Sequence, residues 1–197
     1  MKLTDADQQK LTDAIGRAEA KTSAEIVLLV QACSGHYRDV HALMAGIGAL
    51  LGLAFVLFSD WEFDGIHVIP MALACGTVGW VLSALVVPRF LFKRRAAQQV
   101  EEAAHAQFSR LGVHRTAQRV GTLIYISHAE MAGRILVDSG VAREIPADVR
   151  DAWRACLSTL RDADALVALL DDMGERLGHA LPRGADDENE LPDHVAA

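Results

Sequence analysis

A chain of 197 residues, 51% hydrophobic and 23% charged, holds enough material for one domain, or at most two. That composition excludes a wholly disordered chain, a collagen-like repeat and a small disulfide-rich module. A net charge of −7 gives nucleic acid no electrostatic foothold, and a mean hydropathy of +0.18 beside so many charges implies that apolar and charged residues are segregated along the chain.

Residues 4–21 are expected to form a helix. Thr4 can cap it, and Asp7 three residues on completes a variant of the capping box. Leu11, Ile15 and Ala18 make an apolar stripe, while Lys10, Asp13 and Arg17 fall on the wet face. This opening is acidic and amphipathic and lacks the apolar core of a cleavable signal peptide. Glu25 to Gln31 follows as a short β-branched run, the pattern of a buried strand.

The character then changes. Residues 40–59 and 65–88 carry no formal charge. Crossing a hydrocarbon layer of roughly 30 Å takes about 20 helical residues, and each run is long enough. A chain of 197 residues has too little other surface to cover both as core helices. The expectation is a transmembrane hairpin over 40–92, with helices at 40–58 and 66–92. Its turn holds Asp60, Glu62 and Asp64 and no base, whereas Arg89, Lys93, Arg94 and Arg95 follow the second helix. The positive-inside bias places both termini in the cytoplasm of a two-pass inner-membrane protein. Trp61 and Phe63 suit the outer interface, and the four bases suit the inner one, where each gains about 1 kcal/mol from anionic lipid. Gly48 and Gly52 form a GxxxG, and Gly76 pairs with Ala72 four residues before it. Such small-residue faces let helices approach closely, within the hairpin or between copies. With no charge in either span, an ion or substrate path has no lining.

Beyond the hairpin, Val100, Ala104, Phe108 and Leu111 give a helical stripe, and residues 112–119 a basic loop. Residues 122–127 and 134–138 read as strands joined by a hairpin-length connection, hence antiparallel. Pro146 opens a helix to Leu160 with Trp153, Cys156, Leu157 and Leu160 inward. Asp162 or Asp164 caps a last helix to Leu181, and 184–197 is expected to be an acidic mobile tail. The long crossover from the first strand to the second favours a parallel pair. Residues 1–39 and 96–183 then make one discontinuous cytoplasmic α/β domain. Its expected architecture is a three-layer α/β/α sandwich with a small mixed sheet, interrupted by the hairpin.

Several segments together resemble the TPM domain family, in its bacterial members with a transmembrane pair inside the domain. They are Leu3-Thr-Asp-Ala-Asp, Lys21-Thr-Ser-Ala-Glu-Ile26, residues 115–127, Arg134-Ile-Leu-Val-Asp-Ser-Gly140 and Asn189-Glu-Leu-Pro192. Their order and spacing span nearly the whole chain. The resemblance implies an α/β/α domain anchored in a membrane. It also implies functions found in that family: acid phosphatase-type activity, divalent metal binding such as calcium, and accessory roles in membrane complexes. Where many secreted members carry Asp-Asn-Gly and Gly-Tyr-Gly, this chain has Arg119-Val-Gly121 and Asp138-Ser-Gly140.

By the expected strand order, Glu25, Arg119 and Asp138 gather at one end of the sheet, with Thr22 nearby. Two carboxylates with an arginine suit a cation or a phosphate, and equally a tie between strand ends. The opposite end, at residues 128–133, is expected near the lipid. Cys33, Cys75 and Cys156 lie far apart without metal-ligand spacing and read as reduced thiols. His36, Tyr37 and Asp39, between strand and membrane, suit interfacial anchoring, with a metal role as the alternative. The remaining histidines lack paired ligand spacing, and neither a nucleophile elbow nor a P-loop is present. Three functions follow as alternatives. One is a membrane-anchored binding or accessory module, with a divalent cation such as calcium as its ligand. The second is a metal-dependent phosphatase-type hydrolase, and the third a structural subunit of a membrane complex. The expected partners are the lipid bilayer, another membrane protein or a second copy of the chain.

Overall fold

The computed structural model describes residues 4–35, 37–61, 63–90, 93–160, 162–184 and 195–196. It divides into two compact units, Met1–Ser34 with Ala97–Ala197, and Gly35–Ala96.

The first unit is mixed α/β. Helix α1 (Asp5–Glu19) begins where Thr4 and Asp7 cap each other: Asp7 N–H donates to Thr4 Oγ1 at 3.2 Å, and Thr4 N–H to Asp7 Oδ2 at 3.0 Å. Strand β1 (Glu25–Gln31) pairs parallel with β2 (Gly121–Ser127), Glu25 opposite Gly121 and Gln31 opposite Ser127. Strand β3 (Ala132–Val137) returns antiparallel to β2, and β4 (Val195–Ala196) lies parallel to β1 beside Leu28 and Leu29. The sheet order is β3-β2-β1-β4.

Alternation along the pleat sorts the strand residues into two cores. Ile26, Leu28, Val30, Ile124 and Ile135 join buried residues of α1, α6 (Ala147–Thr159) and α7 (Ala163–Ala180). Val27, Leu29, Leu123 and Tyr125 join Val113 together with Val100 and Ala104 of α4 (Lys93–Arg110). Helices α1 and α7 approach closely because α7 offers Gly174 there: a Cβ on it would stand 2.7 Å from Ala18.

Three features differ from the sequence-based expectation. A separate helix, α5 (Ser139–Glu144), precedes α6; at six residues it is too short to show a helical period. Cys156, expected inward, is exposed. Helix α6 meets the core through Trp153 and Leu157, one turn apart, and Cys156 stands off that line. Of the expected acidic tail, residues 185–194 and 197 lie outside the described residues, while Val195 and Ala196 extend the sheet.

The second unit is two apolar helices, α2 (Arg38–Phe58) and α3 (Val68–Phe90), joined through a 3-10 turn at Gly65–His67. Arg38–Phe58 and Gly65–Ala84 are long and apolar enough to cross a membrane. They pack backbone to backbone through small residues. A Cβ on Gly48 would stand 2.4 Å from the Cys75 carbonyl oxygen, and one on Gly79 as close to that of Met44. Gly52 faces the Cys75 side chain, and Gly76 faces Ala45 and Ala49. A polar contact also crosses the pair: His41 Nδ1 lies 2.8 Å from Ser83 Oγ. The Ser83 hydroxyl also donates to the Trp80 carbonyl at 2.7 Å.

Candidate functional site

The strand directions bring Glu25, Arg119 and Asp138 to one end of the sheet. Glu25 stands opposite Gly121, and Asp138 N–H donates to Gly121 O at 2.9 Å, so the two acidic residues flank one glycine. Each is 8% exposed. Glycine is required between them, because a Cβ there would stand 2.1 Å from the Val113 carbonyl oxygen. The turn at Val113–Arg115 is thus pressed onto the strand at this point.

Asp138 has a divided role. Its Oδ1 accepts the Ser139 N–H at 2.6 Å and caps α5. Its Oδ2 is sealed from solvent and accepts no hydrogen bond. The charge facing Oδ2 is Arg119, whose Nε lies 3.7 Å away, beyond hydrogen-bond distance. The Arg119 guanidinium is held instead by Nη1 donating to the His114 carbonyl at 2.9 Å. The Arg119 backbone has a φ of 60°, in the left-handed region. Gly140 supports it, donating its N–H to the Arg119 carbonyl at 2.8 Å, and a Cβ on that glycine would stand 2.7 Å from the same oxygen.

A desolvated carboxylate oxygen without a hydrogen bond is costly, and a hard cation would satisfy it. Asp138 Oδ2 therefore suits a hard cation, and Glu25 stands on the other side of Gly121 at the same end of the sheet. Among the described residues no three His, Cys, Asp or Glu side chains converge. Thr22 is committed elsewhere: its hydroxyl donates to the Leu181 carbonyl at 2.7 Å.

The opposite end of the parallel pair carries a polar network that the sequence reading missed. Glu130 is nearly buried and accepts from the Ser34 N–H at 3.2 Å, from Cys33 Sγ at 3.4 Å and from the Ser127 hydroxyl. Tyr125 O–H donates to Gln31 Oε1 at 2.8 Å, so the 2.6 Å contact with Ser34 is donated by the serine. Burial pushes the Tyr125 phenol above its ordinary value, with the Ser34 hydrogen bond opposing. A signal was present in the polar residues that end both strands, Gln31 and Ser127.

In the second unit, Trp61 is exposed, and Phe63 sits between it and Phe55 at ring distances of 6.3 and 6.0 Å. Arg95 pairs with Asp39 at 2.8 Å. Tyr37 is buried with Val40, and His36 lies outside the described residues. The side chains of Arg89, Lys93 and Arg94 also lie outside them.

No family model and no curated protein matches the sequence. Among solved structures, the fold is similar to the NMR structure of the BA42 protein from the psychrophilic bacterium Bizionia argentinensis. The TM-score is 0.57 at 20% identity, over 98% of this chain and 92% of that one. The likeness concerns the fold.

Proposed function

We propose that this chain is a membrane-anchored, TPM-like binding or accessory module of the cytoplasmic membrane. In this reading a three-layer α/β/α sandwich is interrupted by a transmembrane hairpin, and a divalent cation such as calcium binds at the Glu25–Asp138 end. One observation carries the anchoring. Among the described residues, every exposed large apolar side chain except Met131 falls between Leu43 and Leu82. The first unit buries its apolar side chains and the second displays them, as lipid-facing helices do. The cation rests on Asp138 Oδ2, which is buried and accepts no hydrogen bond.

Cysteine accessibility tests the anchoring in a background lacking Cys33, Cys75 and Cys156. An impermeant maleimide should label Asp64→Cys in intact cells, and Ala197→Cys only after lysis. The reverse pattern would overturn the orientation, and protein extracted by alkaline carbonate would overturn the anchoring itself.

Thermal unfolding of the detergent-purified chain tests the cation. Calcium at one hundred times its Kd should stabilise the native state by about 2.7 kcal/mol through mass action. Asp138→Asn keeps an N-capping side chain but removes the charge, and should abolish the shift. An equal shift in that variant would remove the cation from this site.

A further inference from the structure

We infer that Arg119 competes with a divalent cation for Asp138, and so sets the cation affinity of this end of the sheet. The inference rests on the cation site proposed above. Asp138 has one oxygen committed to the start of α5 and one oxygen, Oδ2, that accepts no hydrogen bond and lies 3.7 Å from Arg119 Nε. At 3.7 Å and without a hydrogen bond, the guanidinium balances the charge of Oδ2 but does not satisfy it as an acceptor.

A hard cation ligated by Oδ2 would come within a few ångströms of that guanidinium, where two positive charges repel strongly at the edge of a protein. Both cannot hold the same oxygen. The guanidinium is the one free to leave: its side chain is 57% exposed, and its tether is a single bond from Nη1 to the His114 carbonyl. Asp138 is 8% exposed and fixed by its cap. Loading would therefore swing Arg119 outward while the carboxylate stays in place. The released arginine would join exposed Arg110 and Arg115 in a stretch, residues 103–129, that contains no Asp or Glu. Cation binding at the sheet end would thus be read out as a more basic surface on this loop.

Isothermal titration of calcium into the full-length protein in detergent tests the competition. Arg119→Gln should bind calcium about tenfold more tightly than the unaltered chain, the ~1.4 kcal/mol equivalent of that factor. Arg119→Lys keeps the charge and should bind as the unaltered chain does. Asp138→Asn should not bind. Should Arg119→Gln fail to fold, Arg119→Ala makes the same comparison. Calcium binding by the unaltered chain that is equal or weaker in the neutral variants would overturn the competition and leave the site standing. Absence of binding at millimolar calcium in the unaltered chain and the neutral variants alike would overturn the site, and the competition with it.

Discussion

With residues 35–96 replaced by a short Gly-Ser linker, the remaining chain is expected to fold and stay in solution without detergent, whereas the full chain sediments with membranes. The first unit buries its large apolar side chains, with Met131 the exception among the described residues. Its two cut ends each touch a side chain of one cross-strand pair. Ser34 Oγ is 2.6 Å from Tyr125 Oη, and Arg134 Nη2 donates to the Ala97 carbonyl at 3.5 Å. Tyr125 and Arg134 stand opposite each other in β2 and β3. A flexible linker of roughly ten residues spans about 16–19 Å, ample for ends so placed. Sedimentation and circular dichroism decide the outcome. Aggregation of the joined protein would show that the apolar segment is part of this unit's core.

Trp153→Ala should cost about 3–5 kcal/mol, a large share of the 5–15 kcal/mol typical of a domain. Trp153 is 2% exposed and packs with Leu157 into the core shared by α1, α7 and the sheet. Its indole N–H donates to Asp172 Oδ2 at 2.9 Å, which fixes α6 to α7. Asp172 keeps Arg176 at 2.9 Å when the indole is removed, so the loss comes from the cavity and not from an orphaned charge. Trp153→Phe retains most of the volume and should lose about 1 kcal/mol. Urea unfolding of the linker-joined protein measures both, and an alanine variant within 1 kcal/mol of the parent would show that α6 is not held by this side chain.

The charge-free runs that become α2 and α3 are a property of the chain read in one dimension, since length and hydropathy need no partner to be recognised. Strand directions are nearly as local. A crossover of many residues between β1 and β2 favours parallel pairing, and four residues between β2 and β3 require a return. Glu25, Arg119 and Asp138 owe their common location to those directions. What each atom does there was decided by tertiary structure. That Asp138 divides its oxygens between a helix cap and Arg119 depends on α5, a helix too short to announce itself. That Gly121 admits no side chain depends on the Val113 carbonyl lying over it. The Glu130 network joins Ser34 to residues more than ninety positions away, and β4 reaches β1 from the far end of the chain. Periodicity reports which face of an element is apolar; it carries no information about which distant backbone will press against that face. Cys156 came out exposed for that reason: α6 touches the core along the line of Trp153 and Leu157, and the width of that contact is set by the elements it meets.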